Sequence, residues 1–287
     1  MARSADGTFR YNCGREQGSG RSAAIVGGNH ATLLYFAFYR DRSVKYQHAP
    51  IVESVIDFRL HFANPPSNGA LRKCASSFSN FSAPQELRSA HVTVYGGGQS
   101  ERKAEVENKQ AGYRLESKSM PRVLQVQPDG FSYSHLAPYT DWETFCAEAV
   151  ELWREYVAAL KPTTIKRYAV RTINKFTVPE RSVDMEKYFN IYPRRPEGAA
   201  EAMTSFFLQM LLPQPEVGPD TLALLNMSPG ESESFQSAAI FLDIDIFSAA
   251  DVPANSPEIW DRLASIRKRK DDLFELCITD ETRKLIS

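Results

Sequence analysis

The sequence predicts an α+β fold: antiparallel sheets, each covered by a long helix, in two similar β-α-β-β-β-α halves. Three observations predict it. Segments such as Ile51–Phe62 and Ala238–Phe247 alternate apolar and polar residues with the period of a half-buried strand. Two longer segments, near 140–160 and 257–277, place apolar residues at the three-to-four spacing of an amphipathic helix. The order strand, short helix, three or four strands, long helix occurs twice along the chain. Short connections between the strands imply antiparallel pairing, with the long helices laid across one face.

In the first half, Val52, Ile56, Phe58, Leu60 and Phe62 share one strand face, while Glu53, Asp57, Arg59 and His61 share the other. Pro65-Pro66 ends the strand. Residues 63–90 read as irregular, with a weak helical tendency at Pro84–Leu87. His91–Tyr95 is a strand closed by Gly96-Gly97-Gly98. Gly112–Ser117, Val123–Gln127 and Phe131–Ser134 are further strands, the last two joined by a turn at Pro128-Asp129-Gly130. Thr140-x-x-Glu143 is a capping box. Behind it Trp142, Phe145, Ala149, Leu152, Trp153, Tyr156 and Leu160 form one stripe, and Pro162 ends the helix.

In the second half, Ile165–Val178 is a long strand and Met185–Tyr188 a single helical turn. Ala202–Leu212, Thr221–Asn226 and Ala238–Phe247 are strands. Ser256-Pro257 reads as a cap followed by proline at the first helical position. Trp260, Leu263, Ile266, Phe274 and Cys277 carry the second long helix, and Thr279 caps a short terminal one. This element order is that of duplicated TBP-like or helix-grip folds, in which two units share one curved sheet. The halves are expected at 44–162 and 163–287, together one compact unit.

The chain has 287 residues, 43% hydrophobic and 24% charged, which excludes collagen-like, coiled-coil and wholly disordered classes. With 34 Lys+Arg against 35 Asp+Glu the formal net charge is −1, so a dedicated polyanion binder is not favoured, although nucleic-acid contact through a local basic patch is possible. The four cysteines, at 13, 74, 146 and 277, form no metal-ligand spacing and no disulfide framework; they suit reduced thiols and a cytoplasmic setting. No apolar run approaches the ~20 residues that span a bilayer.

Residues 1–43 stand apart. They contain six Arg, no Lys and three acidic residues, and residues 1–30 hold six of the 15 glycines. They read as a disordered or spurious leader, with Val44 a candidate alternative start. Gly27-Gly28-Asn29-His30 lacks the Lys-Ser/Thr of a phosphate loop.

Five residues are candidate binding residues. Asp243 and Asp245 share the polar face of Ile240–Phe247, roughly 7 Å apart. Two such carboxylates can hold Mg²⁺ or Mn²⁺ as in nucleases, but no further Asp, Glu or His cluster completes a site, so no metal, cofactor or catalytic residue is assigned. Cross-strand pairing with Arg167, Arg171 and Lys175, which lie on one face of Ile165–Val178, is the simpler use. Asn174 falls in an apolar row with Tyr168, Val170, Phe176 and Val178, where a buried amide must find a partner such as loop backbone. Arg267-Lys268-Arg269-Lys270 is read as a solvated face, and Arg194-Arg195 as an exposed loop pair. No GxSxG, HExxH, P-loop or GxGxxG is present.

Several segments carry a resemblance. They are Ala49-Pro50-Ile51-Val52-Glu53, Tyr139-x-x-Trp142, Arg167-Tyr168-x-x-Arg171-x-Ile173-Asn174, Leu242-Asp243-Ile244-Asp245 and Phe274-x-x-x-Ile278-Thr279. Over roughly 44–287 the chain resembles a sporadically distributed family of uncharacterised bacterial and archaeal proteins of about 250 residues. The resemblance implies no activity, cofactor or catalytic residue. It does imply accessory loci of the defence or toxin–antitoxin kind. The resulting expectation is a non-enzymatic binding protein that recognises a protein partner through a polar sheet surface. The alternatives are a metal-dependent nuclease or hydrolase using Asp243 and Asp245, and a carrier of a small apolar ligand. Removing residues 1–43 is expected to leave the melting temperature unchanged in a thermal-denaturation comparison; a fall of several degrees would show that the leader packs on the body.

Overall fold

Alternation along the strands becomes one continuous sheet. The computed structural model describes residues 46–95, 103–196, 198, 205–232 and 234–287. The leader at 1–43, the Gly96-Gly97-Gly98 turn and the start of the strand expected at Ala202–Leu212 lie outside the described residues. The elements run β1 (Ile51–His61), α1 (Asn68–Ser77), β2 (Gln85–Tyr95), β3 (Lys103–Glu116), β4 (Arg122–Gln127), β5 (Gly130–Leu136), α2 (Trp142–Leu160), β6 (Thr164–Val178), α3 (Met185–Tyr188), β7 (Leu208–Pro213), β8 (Thr221–Gly230), β9 (Ala238–Ser248), β10 (Val252–Pro253), α4 (Glu258–Cys277) and α5 (Asp280–Ile286). The fold is mixed α+β, with a large antiparallel sheet and five helices among the described residues.

The sheet order is β2-β3-β4-β5-β1-β6-β9-β8-β7, with β10 beside β6. The sheets of the two expected halves form one sheet, because β1 and β6 pair antiparallel along nearly their whole length, from Ile51 opposite Asn174 to His61 opposite Thr164. A face shared by two half-sheets in register buries more apolar surface than two sheets each closed on its own.

One face of the sheet is apolar. Ile56 and Phe58 of β1, Phe131 and Tyr133 of β5, Val170 and Phe176 of β6, and Leu242, Ile244 and Ile246 of β9 are buried. Phe58 is the meeting point of the two long helices. Its ring lies 4.7 Å from Trp153 of α2 and 6.0 Å from Trp260 of α4, both edge-on, and 6.0 Å from Phe131. Edge-to-face contacts of this kind add to plain area burial. Farther along α2, Tyr156 stacks on Trp153 and its hydroxyl donates to the Gly130 carbonyl. At the other end of α4, Phe274 stacks on Phe176.

Several local expectations shift. Asp141, not Thr140, caps α2: its Oδ1 accepts from the Thr144 N–H at 2.7 Å. An aspartate one residue nearer the helix out-competes the threonine because its carboxylate also suits the helix N-terminus. α4 begins after Pro257 with no side-chain cap, so Ser256 does not serve as one. Thr279 does cap α5, accepting from Thr282. In the region read as irregular, Ser67 caps the helix α1, which buries Leu71, Cys74 and Ala75, and β2 begins at Gln85. β3 carries a bulge where Leu87 faces Gly112 and Arg88 faces Gln110. Gly112 has φ +130°, and a Cβ there would meet the Val126 carbonyl oxygen at 2.4 Å, so only glycine fits.

Phe58→Ala is expected to lower unfolding free energy by about 3–5 kcal/mol in chemical denaturation, since it opens a cavity between both tryptophan-bearing helices and the sheet.

Candidate functional site

The sheet face turned away from Phe58 is polar. Because directly opposed residues share a face, the register aligns short rows across the strands. One row is Gln125, Ser132, Asp57, Ala169 and Phe247; the next is Val123, Ser134, Val55, Arg171 and Asp245. Leu136, at the end of β5, faces Glu53, and the rest of β5 contributes only Gly130, Ser132 and Ser134 to this face. These small residues between the longer side chains of β4 and β1 leave a trough of about 450 Å³. It is lined by Glu53, Val55, Asp57, Arg59, Gln125, Gln127, Ser132, Ser134, Arg167, Arg171 and Asp245.

The charges beside the trough are tied to one another. Arg167 bridges two strands: Nη1 donates to Asp57 Oδ1 at 3.0 Å and Nη2 to Asp245 Oδ2 at 2.6 Å. Its guanidinium carbon lies 4.3 Å from the centre of the Phe247 ring. Ala169, lying between Arg167 and Arg171 on this face, is small enough to let the Arg167 side chain reach along β6. Arg171 forks onto Asp243, Nε to Oδ1 and Nη2 to Oδ2, each at 2.7 Å. Asp243 Oδ2 also accepts from Asn226 Nδ2 at 3.1 Å, and Asn226 Oδ1 accepts from Gln209 at 2.8 Å. On the other side, Arg59 donates to Gln127 at 2.8 Å and lies 3.4 Å from Asp57.

The carboxylates lie deeper than the guanidinium groups. Side-chain exposure is 17% for Asp57, 12% for Asp243 and 14% for Asp245, against 45% for Arg59 and for Arg171. Burial pushes the Asp57 and Asp245 carboxyls above the usual carboxylate range, and the neighbouring arginines only partly offset it. Asp245 Oδ1 is buried without a hydrogen-bond partner among the described residues.

Of the sequence candidates, Arg167, Arg171, Asp243 and Asp245 therefore meet on the open face. Asn174 does not join them. It is buried on the opposite, apolar face, where its Nδ2 donates to the Leu242 carbonyl at 3.1 Å, and Oδ1 has no partner there. The partner is strand backbone rather than loop. Lys175 sits opposite Phe241, outside the trough lining. No group of three or more His, Cys, Asp or Glu among the described residues is placed to hold a metal. The basic run of α4 is spent on neighbours: Arg267 and Lys270 pair with Asp271, Lys268 with Asp272, and Arg269 with Glu216. Lys270 is buried rather than solvated.

A second polar cluster escapes sequence reading. Glu148 of α2 accepts from Arg122 Nε at 3.1 Å and from the Tyr133 hydroxyl, and lies 2.7 Å from His135 Nε2. Arg122 and His135 face each other across β4 and β5, on the apolar side of the sheet. Burial lowers His135 to about 4 from its ordinary value of 6.5, and Arg122 adds to this against the pull of Glu148.

No protein-family model, curated protein or solved structure matches the chain. No helix among the described residues is long and apolar enough to cross a membrane.

His135 contributes a loss of stability on the acid side, opposite in sign to the contribution of the raised Asp57 and Asp245 carboxyls. The unfolded histidine takes up a proton near pH 6.5 while the folded one stays neutral down to about pH 4, so the unfolded state binds more protons between those values. Stability is expected to fall as pH drops through that window in denaturant titrations, and His135→Asn to flatten that part of the profile.

Proposed function

We propose that this chain is a non-enzymatic binding protein whose open sheet face receives a segment of a protein partner. The trough over Ser132 and Ser134 carries this reading. It offers hydroxyl, amide and guanidinium groups, and Asp57, Arg167, Arg171 and Asp245 along it are held in ion pairs. Pairing holds each side chain in one geometry before a partner arrives, which reduces the ordering cost of binding.

The metal-dependent alternative finds less support. Arg171 occupies both oxygens of Asp243 and Arg167 one oxygen of Asp245, leaving no convergent set of free donors. An apolar carrier would need a pocket lined by Phe and Tyr, whereas the trough lining is mainly polar and charged.

The reading extends to the ancestry and setting of the chain. The strand order supports a duplication of the TBP-like kind: β1 and β6 open their halves at the centre of the sheet, and the last long strand of each half, β5 or β9, returns to pair beside its first. Membership of the sporadic prokaryotic family, a cytoplasmic site of action and an accessory role in a defence-type locus belong to the same proposal.

Ser132→Trp and Ser134→Tyr, each filling the trough, are expected to abolish capture of the partner from a lysate of the native cell while leaving the melting temperature unchanged. Glu151→Gln, on the exposed side of α2, is expected to retain capture. Undiminished capture by both trough variants would overturn the reading. So would a Mn²⁺-dependent rise in melting temperature that disappears in Asp243→Asn.

A further inference from the structure

The two ends of the sheet are built differently. β2, at one end, carries Glu86 and Arg88, paired with each other, and a register shift at Leu87 and Arg88. Charges and bulges are the usual means by which an edge is kept from pairing with another strand. β7, at the other end, has neither. From Ser205 to Pro213 the sequence SFFLQMLLP contains no charged residue, and β7 pairs with β8 without a register shift. Leu211 is 55% exposed and Phe207 68%. Leu208, Met210 and Leu212 are half-buried and pack against the core, so among the described residues the apolar layer is left open along this side.

The backbone of β7 is also prepared for a neighbour. Gln214 N–H donates to the Thr221 carbonyl at 2.9 Å. Alternation along an antiparallel ladder then turns the N–H groups of Leu212 and Met210 toward β8 and those of Gln209 and Leu211 outward. Pro213 falls at an outward position, where it removes no bond to β8.

We propose that β7 pairs antiparallel with β7 of a second copy, about a two-fold axis at Met210, with Gln209 of each copy opposite Leu211 of the other. In this register the outward N–H and C=O groups of Gln209 in each copy exchange hydrogen bonds with those of Leu211 in the other. On the core side, Leu208 meets Leu212 of the second copy and Met210 meets itself, which closes the open layer. The strand is its own complement: a charged strand in that place would set an unpaired charge beside Leu208 and Leu212. A pair of short strands buries less than the roughly 1,600 Å² of a standard interface, so the dimer is concentration-dependent. The inference does not depend on the trough, which lies on the face of the sheet, not its edge.

The test uses the full chain with Cys13→Ser; Cys74, Cys146 and Cys277 are buried. At the two-fold, Met210 forms a non-hydrogen-bonded pair with a Cα separation of about 4.5 Å, within disulfide reach. Met210→Cys is therefore expected to give a disulfide-linked dimer on mild oxidation, and Gln209→Cys, which faces Leu211 rather than itself, is not. Sedimentation velocity is expected to show a dimer that grows with concentration in the unmodified chain and is lost in Leu211→Lys, with melting temperature unchanged. A chain that stays monomeric at its highest soluble concentration would overturn the proposal, whether the edge is bare or covered by residues 1–43. So would Gln209→Cys cross-linking as readily as Met210→Cys.

Discussion

The antiparallel contact between β1 and β6 is the constraint on which the remaining architecture rests. Each strand shows two faces, and the seam joins like to like. On one face Phe58 of β1 and Val170 and Phe176 of β6 supply apolar floor for the long helices. On the other, the same register brings Asp57 and Arg167 within 3.0 Å. A slip of one residue would reverse both faces at once, burying Asp57 and Arg59 under the tryptophans. The aromatic contacts and the ion pairs therefore reinforce one register.

Much of this was legible because strand chemistry has a period of two. Alternation in Ile51–Phe62 separated Phe58 from Asp57 and Arg59, and alternation in Ile165–Val178 and Ile240–Phe247 put the arginines and aspartates on matching faces. The trough itself was not legible. Ser132 and Ser134 carry no signal until it is known that longer side chains stand on both sides of them. α1 was hidden by a short apolar stripe of Leu71, Cys74 and Ala75 behind two prolines, although Ser67 at its start was a readable cap. The Glu148 cluster was hidden for a different reason: its members lie on β4, β5 and α2, and only packing of the helix against the strands assembles them. One shared sheet follows from the repeated element order, but the β1–β6 register that joins its halves is a long-range pairing that no local pattern encodes.

Pairing of the charges on the open face also shapes how it would recognise a partner. The trough lining holds Arg59, Arg167 and Arg171 against Glu53, Asp57 and Asp245, so its formal charge cancels. A neutral surface gives little long-range steering; selection falls to hydrogen-bond geometry and fit, and binding through it should depend weakly on salt.

The same seam orders events during synthesis. Asp57 and Arg167 are 110 residues apart in the chain. β1 leaves the ribosome long before the strand that covers its second side exists, and pairings of such long sequence separation form slowly. Until β6 emerges, the nascent N-terminal half exposes a bare edge at what will become the middle of the molecule. The alternating Glu53, Asp57 and Arg59 along that edge then act as temporary guards against pairing with a neighbouring nascent chain, before they become part of the finished polar face.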